Sequence, residues 1–198
     1  KQVLLNGDRP AGLILTRQNL PIVPRGSDGF ATTENVGKGG YILKDADEAP
    51  EVVVIGTGSE VQYCVTAQQQ LLEQGIHARV VSMPCVEWFS EQDDEYRNSV
   101  FPPEVTARVS IEAGVPMGWR DFVGDAGRII AIDHYGASAP GAFLFEQFGF
   151  SAETVVAAAQ QSLAAATKPG AATAPVHGTP SGPKSTDDLE SDPGVTIY

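Results

Sequence analysis

The sequence predicts an α/β domain: a mostly parallel, mixed, open sheet flanked by helices. Three observations carry this. Short Val- and Ile-rich runs alternate with helical patterns from Gly40 to Ala166. The runs end in glycine or proline, at Gly56 and Pro84. Finally, Tyr41–Leu43 and Val52–Ile55 stand too close in sequence for a parallel crossover, so one antiparallel pair is expected.

The elements follow in order. Gly7-Asp8-Arg9-Pro10 is a turn, Gly12–Leu15 a short strand and Pro21 a stop. Residues 23–38 hold Pro24, Gly26, Gly29 and Gly37 without a period and read as a linker. Two strands come next, Tyr41–Leu43 and Val52–Ile55. A helix then carries an apolar stripe of Val61, Cys64, Val65, Leu71 and Leu72 and ends at Gly75. Ser59 with Gln62, and Thr57 with Glu60, fit capping boxes at its start. Ala78–Met83 is a strand, and a short helix follows with Ser90 as its cap. Val105–Ile111 and Arg128–Ile132 are strands, and helices over 140–148 and 152–166 close the unit. Residues 167–198 are rich in Pro, Gly, Ser and Thr, too polar to offset their ordering entropy, and are expected to be a disordered tail.

Composition excludes several functions. The 198 residues carry a formal net charge of -12, which argues against nucleic acid and against anionic membrane surfaces. No apolar run approaches the roughly 20 residues of a spanning helix. The chain opens Lys1-Gln2-Val3, without a signal peptide or a methionine, and is expected to be a piece of something longer. Two cysteines, Cys64 and Cys85, are too few for a disulfide scaffold and read as reduced thiols.

Few residues invite chemistry. Gly56-Thr57-Gly58 joins a strand to a helix as a dinucleotide-binding turn does, but Val61 stands where the third glycine belongs. We read it as a structural turn. His134, beyond a strand end, has no nucleophile tied to it by a motif, and no His or Cys pair has metal-ligand spacing. Cys85 lies beside Val86-Glu87, the opposite of the basic setting a reactive thiol needs. Glu112 ends a strand, where a carboxylate serves a site, a subunit contact or the next turn. Asp93 to Tyr96 read as a solvated helix face, and Trp88 and Trp119 as core or interface. Arg17, two residues past Leu15, is either a surface charge or a fork aimed at an anion. The residues alone leave both readings open.

Seven blocks, in order, extend that reading: "GLILTRQNLP", "GGYIL", "VVVIGTGSEV", "ARVVSMP", "IEAGV", "YGASAPG" and "FEQFGFSAETVV". Together they resemble the C-terminal end of transketolases, over about residues 3–166. The pairing of "TRQ" with "FGF" separates that family from relatives of like architecture. The resemblance implies a fold like the transketolase C-terminal domain over 39–166, with 1–22 as the end of the pyrimidine-binding domain. It implies a homodimer that uses thiamine diphosphate and Mg or Ca to move a two-carbon ketol unit between sugar phosphates; a cytoplasmic location is expected from the lack of a secretion signal and the two unpaired cysteines. Arg17 falls on the family's "RQ" arginine, which binds the substrate phosphate; Thr16 shapes the strand end. The family's metal motif, activating glutamate and substrate histidines have no counterpart in these residues, so no catalytic, cofactor or metal residue is expected here. The segment alone is expected to be inactive. The competing reading is a non-catalytic α/β binding module derived from a transketolase.

Overall fold

A computed structural model describes residues 1–167. The tail expected over 167–198 lies, from 168 on, outside the described residues.

Five strands form one sheet: β1 (Tyr41–Lys44), β2 (Val52–Gly56), β3 (Ala78–Ser82), β4 (Arg108–Ile111) and β5 (Arg128–Ile130). Their spatial order is β1-β3-β2-β4-β5. β2, β3, β4 and β5 run parallel, with Val54 opposite both Val80 and Val109. β1 is antiparallel, as expected of one strand, but its partner is β3 rather than β2. The reason is burial. β2 is buried at every position and takes a parallel neighbour on each side, whereas β1 carries a lysine and sits at the edge.

Alternation along β2 divides the core in two. Val52 and Val54 point to a layer built with α2 (Val61–Leu72) and α7 (Ala152–Ala166). Val53 and Ile55 point to an aromatic layer with Phe89, Phe101 and Trp119. That second layer comes from the short helices α3 (Val86–Ser90), α4 (Asp94–Val100) and α5 (Arg120–Val123) and their loops. α6 (Gly141–Gln147) leads into α7, whose first turn is capped by the Ser151 hydroxyl accepting from the Thr154 amide at 3.2 Å.

Several local expectations fail. Gly12–Leu15 is not a strand: Leu13, Ile14 and Leu15 are 69, 96 and 74% exposed, and no neighbouring strand lies beside them. A strand persists through its ladder, and this segment has none among the described residues. A short helix, α1 (Gln2–Leu5), forms instead upstream. The linker is partly ordered, with a 3-10 turn over Glu34–Lys38 and Phe30 bridging to Lys44. Gly39 closes it at φ 82°, and a side chain there would meet the Cys85 carbonyl at 2.3 Å. Asp93, not Ser90, caps α4, accepting from the Tyr96 amide at 2.8 Å, while the Ser90 hydroxyl bonds back to the Val86 carbonyl within α3. Neither expected capping box forms at α2: the Ser59 hydroxyl turns to its own neighbour, Glu60.

Candidate functional site at the carboxyl edge of the sheet

The chain leaves β2 for β3 on one side and returns across it to β4 on the other, so β2 and β4 flank the point where the winding reverses. Open α/β sheets gather ligands at such a point, beyond the carboxyl ends of the strands. Two loops meet there. Residues 57–60 follow β2, and 112–119 follow β4. Gly56 makes the first loop possible, because a Cβ there would lie 2.9 Å from both Cys64 Sγ and Val61 Cα. Close approach of strand and helix, rather than nucleotide binding, accounts for this glycine.

Glu60 is only 5% exposed. Its Oε1 accepts a short hydrogen bond from the Ser59 hydroxyl, and its Oε2 accepts from the Ala113 amide at 3.4 Å. No cation pairs with it among the described residues. Ser59 Oγ in turn accepts from the Gln18 side-chain amide at 3.3 Å. Gln18 also closes a small turn, its backbone N–H donating to Thr16 Oγ1 at 3.2 Å. Between them stands Arg17, exposed, with no ion-pair or hydrogen-bond partner among the described residues. The sequence reading singled out Arg17 but missed this chain of contacts. The signal for it is a glutamate placed between an apolar strand and an apolar helix, which the pattern alone reads as part of a capping box.

The remaining candidates resolve into structure. Glu112 Oε2 accepts from the buried Trp119 indole at 2.6 Å, which makes it a loop brace. His134 stacks edge-on against Phe148 with 4.9 Å between ring centres, its Nδ1 2.7 Å from the Tyr135 carbonyl. Its Nε2 is buried without a partner among the described residues. Tyr96 departs from the solvated face expected of its segment: its hydroxyl donates to the Gly40 carbonyl at 2.8 Å, and Lys38 sits 3.8 Å over its ring. Burial pushes the Cys85 thiol up, and the Glu87 carboxylate 3.4 Å away adds to the shift. Full burial pushes Cys64 up further. Both thiols are held from the reactive thiolate form. Among the described residues no three His, Cys, Asp or Glu side chains converge as a metal ion requires.

The family pattern described as "Transketolase-like TK C-terminal domain" matches residues 39–151, more than half of the chain. The chain belongs to the transketolase family. A transketolase of Mycobacterium tuberculosis is 52% identical over 163 residues, covering 80% of this chain and 23% of that protein. Among solved structures, a transketolase from Leishmania mexicana superposes with a TM-score of 0.64 at 34% identity, covering 75% of this chain and 21% of that one. A Pichia stipitis transketolase, solved with sedoheptulose-7-phosphate, gives 0.64 at 33%, covering 75% and 20%. The five-stranded mixed sheet with flanking helices is thus that of the transketolase C-terminal domain. The chain spans about a quarter of the length of the curated relatives it matches.

Proposed function

We propose that the full-length protein carrying this segment transfers a two-carbon ketol unit from a ketose phosphate to an aldose phosphate. It does so with thiamine diphosphate and a divalent metal, Mg or Ca, as a cytoplasmic homodimer. This segment contributes the phosphate-binding Arg17 and structural support, and is inactive alone. Residues 1–22 are the end of the pyrimidine-binding domain, 23–38 a linker and 39–166 the C-terminal domain.

The observation that supports the reading is the state of Arg17. Gln18 beside it is tied to Ser59 and turns back on Thr16, while the Arg17 guanidinium is exposed and unpaired among the described residues. A guanidinium fork matches two phosphate oxygens at once, and holding an anion there adds no burial cost. The solved relative carrying sedoheptulose-7-phosphate supports the substrate class. The described residues do not fit the cofactor or its metal: no donor set converges, and the backbone at Gly56 is packed against Val61 and Cys64.

The test is Arg17→Ala in the full-length enzyme. A charge-assisted hydrogen bond is worth about 1.5–3 kcal/mol, so KM for a phosphorylated donor should rise roughly 10- to 100-fold, with kcat little changed. An unphosphorylated donor should be used nearly as before. Equal losses for both donors would sink the phosphate role.

A further inference from the structure

We propose that Glu60 is a positioning residue for Arg17, acting through a one-way hydrogen-bond chain from Glu60 to Ser59 to Gln18. The inference rests on the phosphate reading of Arg17.

The direction of the chain follows from proton counting. A carboxylate only accepts, and a serine hydroxyl has a single proton to give. Glu60 is buried, and its two oxygens face the Ala113 N–H and the Ser59 hydroxyl, which makes Ser59 the donor at Oε1. The Ser59 proton is committed to Glu60 Oε1. The hydroxyl oxygen is left as an acceptor facing outward, and the Gln18 amide donates to it at 3.3 Å. An acid at one end therefore dictates which group can dock at the other, and each bond polarises the next.

Both ends of the chain are held. At the inner end, the Ala113 amide donates to Glu60 Oε2 at 3.4 Å, so the carboxylate spans the loops after β2 and β4. The Gln62 side chain donates to the Ser59 carbonyl at 3.0 Å and fixes the loop itself. At the outer end, Gln18 N–H closes on Thr16 Oγ1 and makes a tight turn around Arg17, with Gln18 the residue tied to the domain. Among the described residues, Gln18 to Ser59 is the single hydrogen bond joining residues 10–22 to the rest of the chain. The place of Arg17 relative to the crevice between β2 and β4 hangs on that contact. Arg17 touches the phosphate, and Glu60, Ser59 and Gln18 set where it stands.

The experiment uses the full-length enzyme with a phosphorylated and an unphosphorylated donor, and amide hydrogen exchange of residues 16–18. Gln18 is exposed, so Gln18→Met removes the donor without touching the core, while Gln18→Glu sets a second acceptor against an oxygen whose proton is already given. Ser59→Ala and Glu60→Met break the buried half, the first by removing the hydroxyl and the second by removing its acceptor. Loss of one neutral hydrogen bond's positioning should raise KM for the phosphorylated donor about 3- to 10-fold, with kcat and the unphosphorylated donor within about twofold. Gln18→Glu should exceed Gln18→Met. In an Arg17→Ala background, Gln18→Met should add less than about twofold, because the two act as a unit. Residues 16–18 should exchange faster in every variant that cuts the chain. A full additive rise in the Arg17→Ala background, or unchanged exchange over 16–18 in Gln18→Met, overturns the positioning role even where Arg17→Ala behaves as expected. Equal losses for both donors in Arg17→Ala defeat the phosphate reading itself, and the positioning role falls with it.

Discussion

On the inner face of α7, the Ser162 hydroxyl accepts from the Arg108 amide at 2.9 Å and donates to the Ala126 carbonyl at 2.9 Å. It is wholly buried. The first contact ties the helix to the start of β4, and the second to the turn before β5, so one side chain sets the height of α7 over two strands. Arg108 adds a second clasp, its guanidinium donating to the carbonyls of Val105 and Phe122 at 2.8 and 3.0 Å. Burial lowers its pKa from the usual value, against a smaller opposing pull from the Glu104 carboxylate. Ser162→Ala would leave an amide and a carbonyl unpaired in the core, at a cost of about 1–3 kcal/mol. Urea unfolding should show a lower midpoint with an unchanged slope. A midpoint within error of the parent would mean that water replaces the hydroxyl.

Helix α2 shows which part of an element its periodicity reveals. Leu71 is fully buried, while Leu72, next to it and in the same expected stripe, is 43% exposed. The apolar pattern alone does not separate them. The helix turns by about 100° per residue, and the buried stripe passes instead through Gln68. That amide is admitted because it donates to the Ala78 and Asp45 carbonyls at 2.8 and 2.9 Å, stitching the ends of β3 and β1. Leu71→Ala should therefore cost about 2–5 kcal/mol, against about 0.5 kcal/mol or less for Leu72→Ala, measured by denaturant unfolding. Similar losses for the two would refute the assigned face. Where an apolar run is unbroken, as in Val52–Ile55, or burial follows the helical period, as in Ala152–Ala166, the sequence alone suffices to place the element. Where the deciding partner lies far along the chain, it does not. β1 reads as antiparallel, yet its neighbour depends on β3 inserting beside β2. Gly12–Leu15 reads as a strand because its residues suit one, but a ladder needs a partner strand. The site divides the same way: Arg17 stands in a recognisable motif, while Glu60 matters through a contact spanning 41 positions, between Ser59 and Gln18.

For the molecule as a whole, the open question is how the irregular N-terminal stretch is held against a domain of net negative charge. Besides the Gln18 contact, the hydrogen-bonded tie among the described residues is Arg9, whose two terminal nitrogens grip both oxygens of Glu91, one of them at 2.6 Å. The pair sits beside a shallow cavity shared with Gln2, Leu5 and Trp88. Arg9 holds the Glu91 carboxyl below its ordinary value of 4.5. A lowered carboxyl pKa makes the attachment fully present above that ordinary value and progressively lost as pH falls through the depressed one. Both side chains are open to solvent, so salt weakens the pair as well: the screening length shrinks from about 8 Å at 0.15 M to about 3 Å at 1 M. Trp88 is a built-in reporter. Its emission should shift to the red below the carboxylate range and again at about 1 M salt, as α1 and Arg9 lift away. Other carboxylates titrate in the same window, so the decisive comparison is Glu91→Gln. That variant should start red-shifted at neutral pH and low salt and respond little to either change. If the parent and Glu91→Gln trace the same curves, the Arg9–Glu91 pair does not hold the segment, and the packing of Gln2 and Leu5 beside Gly37 and Trp88 does so instead.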